Sequence, residues 1–171
     1  MNKTKIIFIT GASGVGKTTL VKELEKRYAS EDLSIFYFDT IGVPSVEKMV
    51  EEFGSCEKWQ EHATHLWVEK LSKLADKGAI ILEGQFNPYF AIDACRKFGI
   101  KNYKFVVVHA DRSVREKRLI KQRHQPELVN DNMNTWAEFL KREVLVCNGS
   151  VIDTSYSDLE RVLSELIVCI N

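Results

Sequence analysis

Apolar and polar positions along this chain switch repeatedly between two patterns. Short unbroken apolar runs, the mark of strands covered on both faces, alternate with longer stretches that carry one apolar face at helical spacing. Residues 4–10 form the first strand around Ile6-Ile7-Phe8-Ile9. A helix over 17–29 follows, with Leu20, Val21, Leu24 and Tyr28 on one face. Ser34-Ile35-Phe36-Tyr37-Phe38 predicts a second buried strand ending on Asp39-Thr40. Pro44-Ser45 suits the start of a short helix carrying Val46, Met49, Val50 and Phe53. Ser55 can cap a longer helix over 56–77, with Trp59, Ala63, Leu66, Trp67, Lys70 and Leu74 as its inner stripe and Gly78 as its stop. The third strand, 79–82, ends on Glu83-Gly84-Gln85.

Pro88 opens a helix to Phe98, and Tyr103–His109 is the fourth strand. Asp111 or Ser113 can cap a basic helix to about Arg123, and Gln125–Asn132, with Pro126, reads as a loop. A helix over 132–147 turns Trp136, Phe139, Leu140 and Val144 inward. A fifth strand at 150–153 and a last helix at 157–170, with Leu159, Val162, Leu163, Leu166 and Ile170 inward, complete the chain. This alternation implies an α/β fold: a parallel sheet between two layers of helices, its ligands at the carboxyl ends of the strands. At 171 residues the whole of 1–171 is expected to form a single domain.

Composition narrows the classes. Lys+Arg and Asp+Glu both number 24, so no overall charge favours nucleic acid or a membrane surface, and neither is expected as a partner. The longest apolar runs are too short to span a bilayer, and the N-terminus shows no signal-peptide pattern. The widely spaced cysteines Cys56, Cys95, Cys147 and Cys169 contain no C-x-x-C pair and read as reduced thiols. A cytoplasmic protein is expected, as a monomer or homodimer.

The chemistry begins directly after the first strand. Gly11-Ala12-Ser13-Gly14-Val15-Gly16-Lys17-Thr18-Thr19 fits G-x-x-x-x-G-K-[ST], the Walker A loop, in the strand-loop-helix context it requires. Glycines let the backbone curl round a phosphate, and amides at the start of the following helix point at the anion. Lys17 supplies positive charge for the β- and γ-phosphates, and the Thr18 hydroxyl is placed to ligate Mg²⁺. A nucleoside triphosphate with Mg²⁺ is the implied ligand.

Asp39 and Glu83 each follow an apolar strand, where a ligand edge would lie. One such carboxylate can hold Mg²⁺ and another can take the acceptor's proton. Asp39 is expected as general base and Glu83 as metal or acceptor contact, with the two roles exchangeable. The basic helix runs into the proline-bearing loop, and a loop rooted in arginines can close over phosphates. Arg118 and Arg123 are the candidates. His109 reads as a core or turn histidine. His62 and His65, three apart on one helix, read as solvent-facing or acceptor-pocket residues in the absence of a third metal ligand.

With these residues in place, the chain resembles the P-loop kinase group that includes adenylate, shikimate and gluconate kinases and chloramphenicol phosphotransferase. The likeness rests on GASGVGKTT, on Asp39, on Ile80-Ile81-Leu82-Glu83-Gly84, and on Arg118-Leu119 through Arg123, which is similar to the R-L-x-x-R of the family's lid. Val151-Ile152-Asp153-Thr154 is similar to the last strand and turn, which in the family lies beside the adenine, so Asp153 joins Arg118 as an expected nucleotide contact. The resemblance implies a three-layer αβα P-loop NTPase fold with a five-stranded parallel sheet of order 2-3-1-4-5. It also implies ATP and Mg²⁺, an acceptor-binding helical insert over about 40–77, and a short lid near 123–132.

The departures carry information too. The lid arginines stand one residue further apart than in the family, and Gln85-Phe86-Asn87-Pro88 replaces the arginine with which nucleotide kinases grip the acceptor's phosphate. Residues 28–95 hold no arginine, and 40–70 hold six glutamates against three lysines. Arginine is the usual partner of phosphate and carboxylate, so an uncharged or cationic hydroxyl acceptor is expected: a nucleoside, sugar, amino-sugar or aromatic alcohol. Phe38, Trp59, Trp67, Phe86 and Tyr89 could line its apolar face, with core packing the default reading for most of them. The leading reading is an ATP-dependent small-molecule kinase. An NTP hydrolase or nucleotide-gated binding module, and a nucleotide or polynucleotide 5′-kinase, are the alternatives.

Overall fold

The computed structural model describes residues 4–28, 32–74 and 78–171. Five strands, β1 (Lys5–Thr10), β2 (Leu33–Tyr37), β3 (Ala79–Glu83), β4 (Tyr103–His109) and β5 (Ser150–Asp153), pair in parallel in the order β2-β3-β1-β4-β5. Seven helices accompany them among the described residues: α1 (Lys17–Tyr28), α2 (Val46–Phe53), α3 (Cys56–Ser72), α4 (Pro88–Lys97), α5 (Arg112–Lys121), α6 (Asp131–Val146) and α7 (Leu159–Ile170). The sheet order and the α/β class are as expected.

Side-chain alternation along β1 explains the three layers, because successive residues of a strand face opposite ways. Ile6 and Phe8 enter the core shared with α3, α4 and α6, while Ile7 and Ile9 enter the core shared with α1 and α7. Both cores are continuous clusters of buried apolar residues, which is why the central strands read as unbroken apolar runs. Phe8 stacks on Phe105 with centroids 5.1 Å apart and meets Phe86 edge-on at 6.0 Å. No helix among the described residues is long and apolar enough to cross a membrane.

Several expectations need correction. β2 is an edge strand, half-buried throughout rather than buried, and it stops at Tyr37. Phe38 and Asp39 belong instead to a 3₁₀ turn, Phe38–Ile41. Leu66 (44% exposed) and Leu159 (40%) lie outside their expected stripes, and Tyr28 is exposed as well. Lys70 lies outside too, its amine over the Trp67 ring at 4.7 Å. α3 ends at Ser72, and its expected final residues 75–77, like residue 29 of α1, fall outside the described residues. Asp111 takes the N-cap position of α5 without a side-chain capping bond, whereas Ser45, Ser55, Asn87, Asn130 and Asp158 all cap their helices.

Within the expected insert over 40–77, one face of α3 is core. Ala63, Trp67, Val68 and Leu71 are buried in the same cluster as α4 and the sheet, while the other described residues, those of α2 among them, are mostly exposed or half-buried. The Trp67 indole N–H donates to the Phe38 carbonyl at 2.9 Å, fixing the 3₁₀ turn against α3.

Candidate active site

The Walker A loop is built by geometry that only part of the alphabet tolerates. Gly14 (φ 85°) and Gly16 (φ 91°) sit in the left-handed region that favours glycine. A Cβ on Gly14 would stand 2.9 Å from the Arg115 carbonyl oxygen. α1 starts at Lys17 and takes its first turn from the Gly16 carbonyl, which accepts from the Leu20 amide at 3.0 Å. The helix N-terminus therefore opens directly into the loop, as an anion site requires.

Glu83 ends β3 beside β1, and its carboxylate reaches the loop. Thr18 Oγ1 donates to Glu83 Oε1 at 3.2 Å, and Lys17 Nζ lies 3.8 Å from the same oxygen. Both charges are buried. Burial lowers the Lys17 pKa, and the Glu83 charge is the main force opposing that shift. Burial likewise raises the Glu83 pKa, chiefly opposed by Lys17. Asp39 stands further off on the exposed 3₁₀ turn, near enough to act on both groups through its charge but bonded to neither.

A cleft of about 300 Å³ opens over the loop between Gly14, Gly16, Lys17 and Thr18 on one side and Arg118, Gln122 and Arg123 on the other. Arg118 is the organising cation. Its Nη1 donates to Val15 O at 3.2 Å and Thr154 Oγ1 at 2.9 Å, and its Nη2 donates to Thr154 O at 2.7 Å. Thr154 Oγ1 in turn donates to Val15 O at 2.6 Å. Arg118 thus ties the loop to the turn after β5. Arg123 is exposed at the cleft edge, and its positive charge lowers the Lys17 pKa further. The stretch expected as a lid contains His124 at φ 53°, a 3₁₀ turn at Pro126–Leu128 and the Asn130 cap of α6.

Asp153 is exposed and is used locally, its Oδ1 accepting from the Ser155 amide at 2.8 Å. The buried residue that meets the loop is its neighbour Thr154, which the sequence presented only as the end of a strand-turn motif. His109 is buried at the end of β4, 3.8 Å from the Glu138 carboxylate, and burial lowers its pKa. His62 is exposed and packs on Phe53 at 5.2 Å. Among the described residues no group of three or more His, Cys, Asp or Glu side chains could hold a metal.

A second cleft, about 780 Å³, lies beside the loop between α3, the segment after β3 and α6. Its rings are Phe90, Trp136 and Phe139, and Met133 adds to the apolar wall. Trp136 and Phe139 stack with centroids 5.3 Å apart. Its polar wall is made of carboxamides, among them Gln60, Gln85, Asn87 and Asn132, and Glu57 is its one charged residue. The aromatics named for an acceptor face do not line this cleft, and most follow their default reading as core. Phe38, Trp67 and Phe86 are buried in the core, Trp59 packs on that core, and Tyr89 donates to Glu143. Core demand claimed the rings nearest the sheet, and those on α4 and α6 were left to line the cleft.

Gln60, which the sequence did not mark, and Gln85, which it named only within the stretch that replaces the family's arginine, hold the segment after β3. The Asn87 amide donates to Gln60 Oε1 at 2.9 Å, and Gln60 Nε2 donates to Gln85 O at 3.2 Å. Thr10 Oγ1 donates to Phe86 O at 3.2 Å from the end of β1. Ser13 of the loop donates to Gln85 Oε1 at 3.3 Å. This bond ties the phosphate loop to the wall of the larger cleft.

A family model described as an AAA domain matches residues 7–137, most of the chain, including the loop, Glu83, Arg118 and Arg123. The chain belongs to the AAA domain family. Solved structures with the same fold include a gluconokinase from Sinorhizobium meliloti (16% identity, TM-score 0.70, covering 97% of this chain and 91% of that one). A shikimate kinase from Acinetobacter baumannii, solved with shikimate, matches at 13% identity and TM-score 0.62, covering 97% and 92%. A deoxyadenosine kinase from M. mycoides, solved with dCMP and dCDP, matches at 13% and 0.62, covering 95% and 97%. The fold is that of P-loop small-molecule kinases. No protein with a curated description matches the sequence.

Proposed function

We propose that this protein is an ATP-dependent phosphotransferase that moves the γ-phosphate to a hydroxyl of a small, uncharged or cationic acceptor. The observation that carries the proposal is the link between two clefts: a glycine-built phosphate loop and a separate amide- and ring-lined cleft, tied by the Ser13–Gln85 hydrogen bond. A hydrolase needs only the first of these. A transferase needs both, with the acceptor held next to the donor.

The residues fit the nucleotide. The loop amides and Lys17 would take the β- and γ-phosphates, and Arg118 and Arg123 would face the transferring group. Thr18 and Glu83 present adjacent oxygens, the donor type Mg²⁺ takes, and would hold it. Bound there, Mg²⁺ supplies charge neutralisation on the phosphate oxygens. Asp39 is the proposed base, which would accept the hydroxyl proton as the acceptor oxygen attacks phosphorus. Glu83, engaged with Thr18 and Lys17, is less free for that task.

The test is a transfer screen with γ-labelled ATP, Mg²⁺ and a panel of nucleosides, sugars and amino-sugars. Label should appear on an acceptor with the wild type and be lost in Lys17→Ala at unchanged circular dichroism. Label that reaches only inorganic phosphate, whatever the panel, would instead favour hydrolysis.

A further inference from the structure

We propose that Gln85 selects the acceptor, admitting neutral hydroxyl compounds and excluding anionic ones; this rests on the larger cleft being the acceptor site. Gln85 is the side chain that touches both halves of the site. It lines the larger cleft, and its Oε1 accepts from Ser13 of the phosphate loop. That bond turns the carbonyl end of the amide toward the donor side. The Nε2 end is left as an uncharged donor for the cleft.

The backbone beneath Gln85 is fixed independently. An amide N–H can only donate, so the Asn87 amide requires Gln60 to present Oε1, and Gln60 must then present Nε2 to the Gln85 carbonyl. Gly84 packs so closely on Phe38 that a Cβ there would collide with it. Gln85 is therefore a held residue, not a loop side chain free to swing away.

The surroundings decide the sign of the selection. The cleft-lining residues include no lysine, arginine or histidine, and the one charge among them is the Glu57 carboxylate. A phosphate or carboxylate entering this cleft would lose water and meet amides and a like charge. A hydroxyl or ring carbonyl loses far less and can accept from Gln85 Nε2. Gln85 thus supplies orientation without charge, close to the loop where the phosphoryl group arrives.

Cys56 provides a readout that does not depend on turnover. It is exposed, lines the same cleft and is a free thiol, so its alkylation rate reports occupancy. The experiment measures protection of Cys56 from iodoacetamide, by peptide mass spectrometry, using matched pairs: deoxyadenosine and its 5′-monophosphate, glucose and gluconate, methyl shikimate and shikimate. In the wild type the neutral member of at least one pair should protect at a concentration about tenfold or more below its anionic counterpart. In Gln85→Arg that preference should fall by about tenfold or reverse, because a guanidinium gives the anion a bidentate partner. Gln85→Leu, which adds no charge, should lose protection by the neutral member without gaining the anion. Circular dichroism checks that both variants fold.

Stronger protection by an anionic member, an unchanged preference in Gln85→Arg, or no protection by any neutral member would overturn the proposal. The transfer screen separates this from the activity itself. Protection without transfer contradicts the kinase and leaves the selection standing. Transfer to an anionic acceptor contradicts the selection and leaves the kinase standing.

Discussion

Lys17 and Glu83 are each expensive to bury alone, and each offsets much of the other's loss of hydration. The residual effect on Glu83 is a pKa above its ordinary value, so it binds a proton at a pH where a solvated glutamate is ionised. Protonation removes the partner of Lys17 and, in the proposed role of Glu83, an oxygen that would hold Mg²⁺. The acid limb of kcat/KM for Mg·ATP, which reports the free enzyme, should therefore lie above the ordinary glutamate value of 4.5. A pH–rate profile checks this, and a limb at or below that value would remove Glu83 from the site. Asp39 has a different signature. Asp39→Asn should reduce kcat by about 10²-fold or more while leaving the Kd for Mg·ATP near the wild type, as removal of a base does. If Mg·ATP binding is lost instead, Asp39 holds the metal and Glu83 inherits the proton.

At the scale of elements, the segment from Glu83 to Pro88 owes its position to three neighbours: Thr10 at the end of β1, Ser13 in the loop and Gln60 in α3. Gln60→Leu keeps the bulk and removes both bonds, leaving the Asn87 amide and the Gln85 carbonyl unpaired at a cost of about 1–3 kcal/mol each. Urea denaturation should show a lower midpoint, and the acceptor KM should rise more than the KM for ATP. Gly14→Ala addresses the phosphate loop itself. A residue with Cβ at φ 85° against the Arg115 carbonyl should cost about 1–3 kcal/mol and weaken nucleotide binding, measured by denaturation and by ATP titration.

Elements also show where sequence reading stops. The phosphate loop was legible because its spacing encodes backbone shape, and Glu83 because it ends a strand adjacent to that loop. Gln60 was not, since its neighbours form a periodic helix and nothing local marks a residue whose partners lie 25 and 27 positions away. The edge position of β2 was hidden for a related reason. Its apolar run matches that of a central strand, and exposure depends on which strand pairs beside it. For Phe38, Trp67 and Phe86 the default reading as core holds, but periodicity reports that a ring is buried without reporting which core receives it.

Across the whole molecule, alternation of strands and helices was enough to foresee a parallel sheet in two helical layers, and the order β2-β3-β1-β4-β5 followed from the family resemblance. That order sets the ends of β1 and β3 side by side, which brings a loop at 11–19 and a carboxylate at 83 within one hydrogen bond of each other. The same juxtaposition carries the segment after β3 across to α3 and α6, where the larger cleft forms. The phosphate-loop cleft and the larger cleft, proposed as donor and acceptor sites, are thus two consequences of one strand order. The central claim is that they work together, and the most direct measurement is the rate of ATP turnover with and without the panel of neutral hydroxyl compounds. Turnover should rise at least about tenfold with a productive acceptor, with stoichiometric label on that compound, and should vanish in Lys17→Ala. A slow rate unchanged by every compound would contradict it.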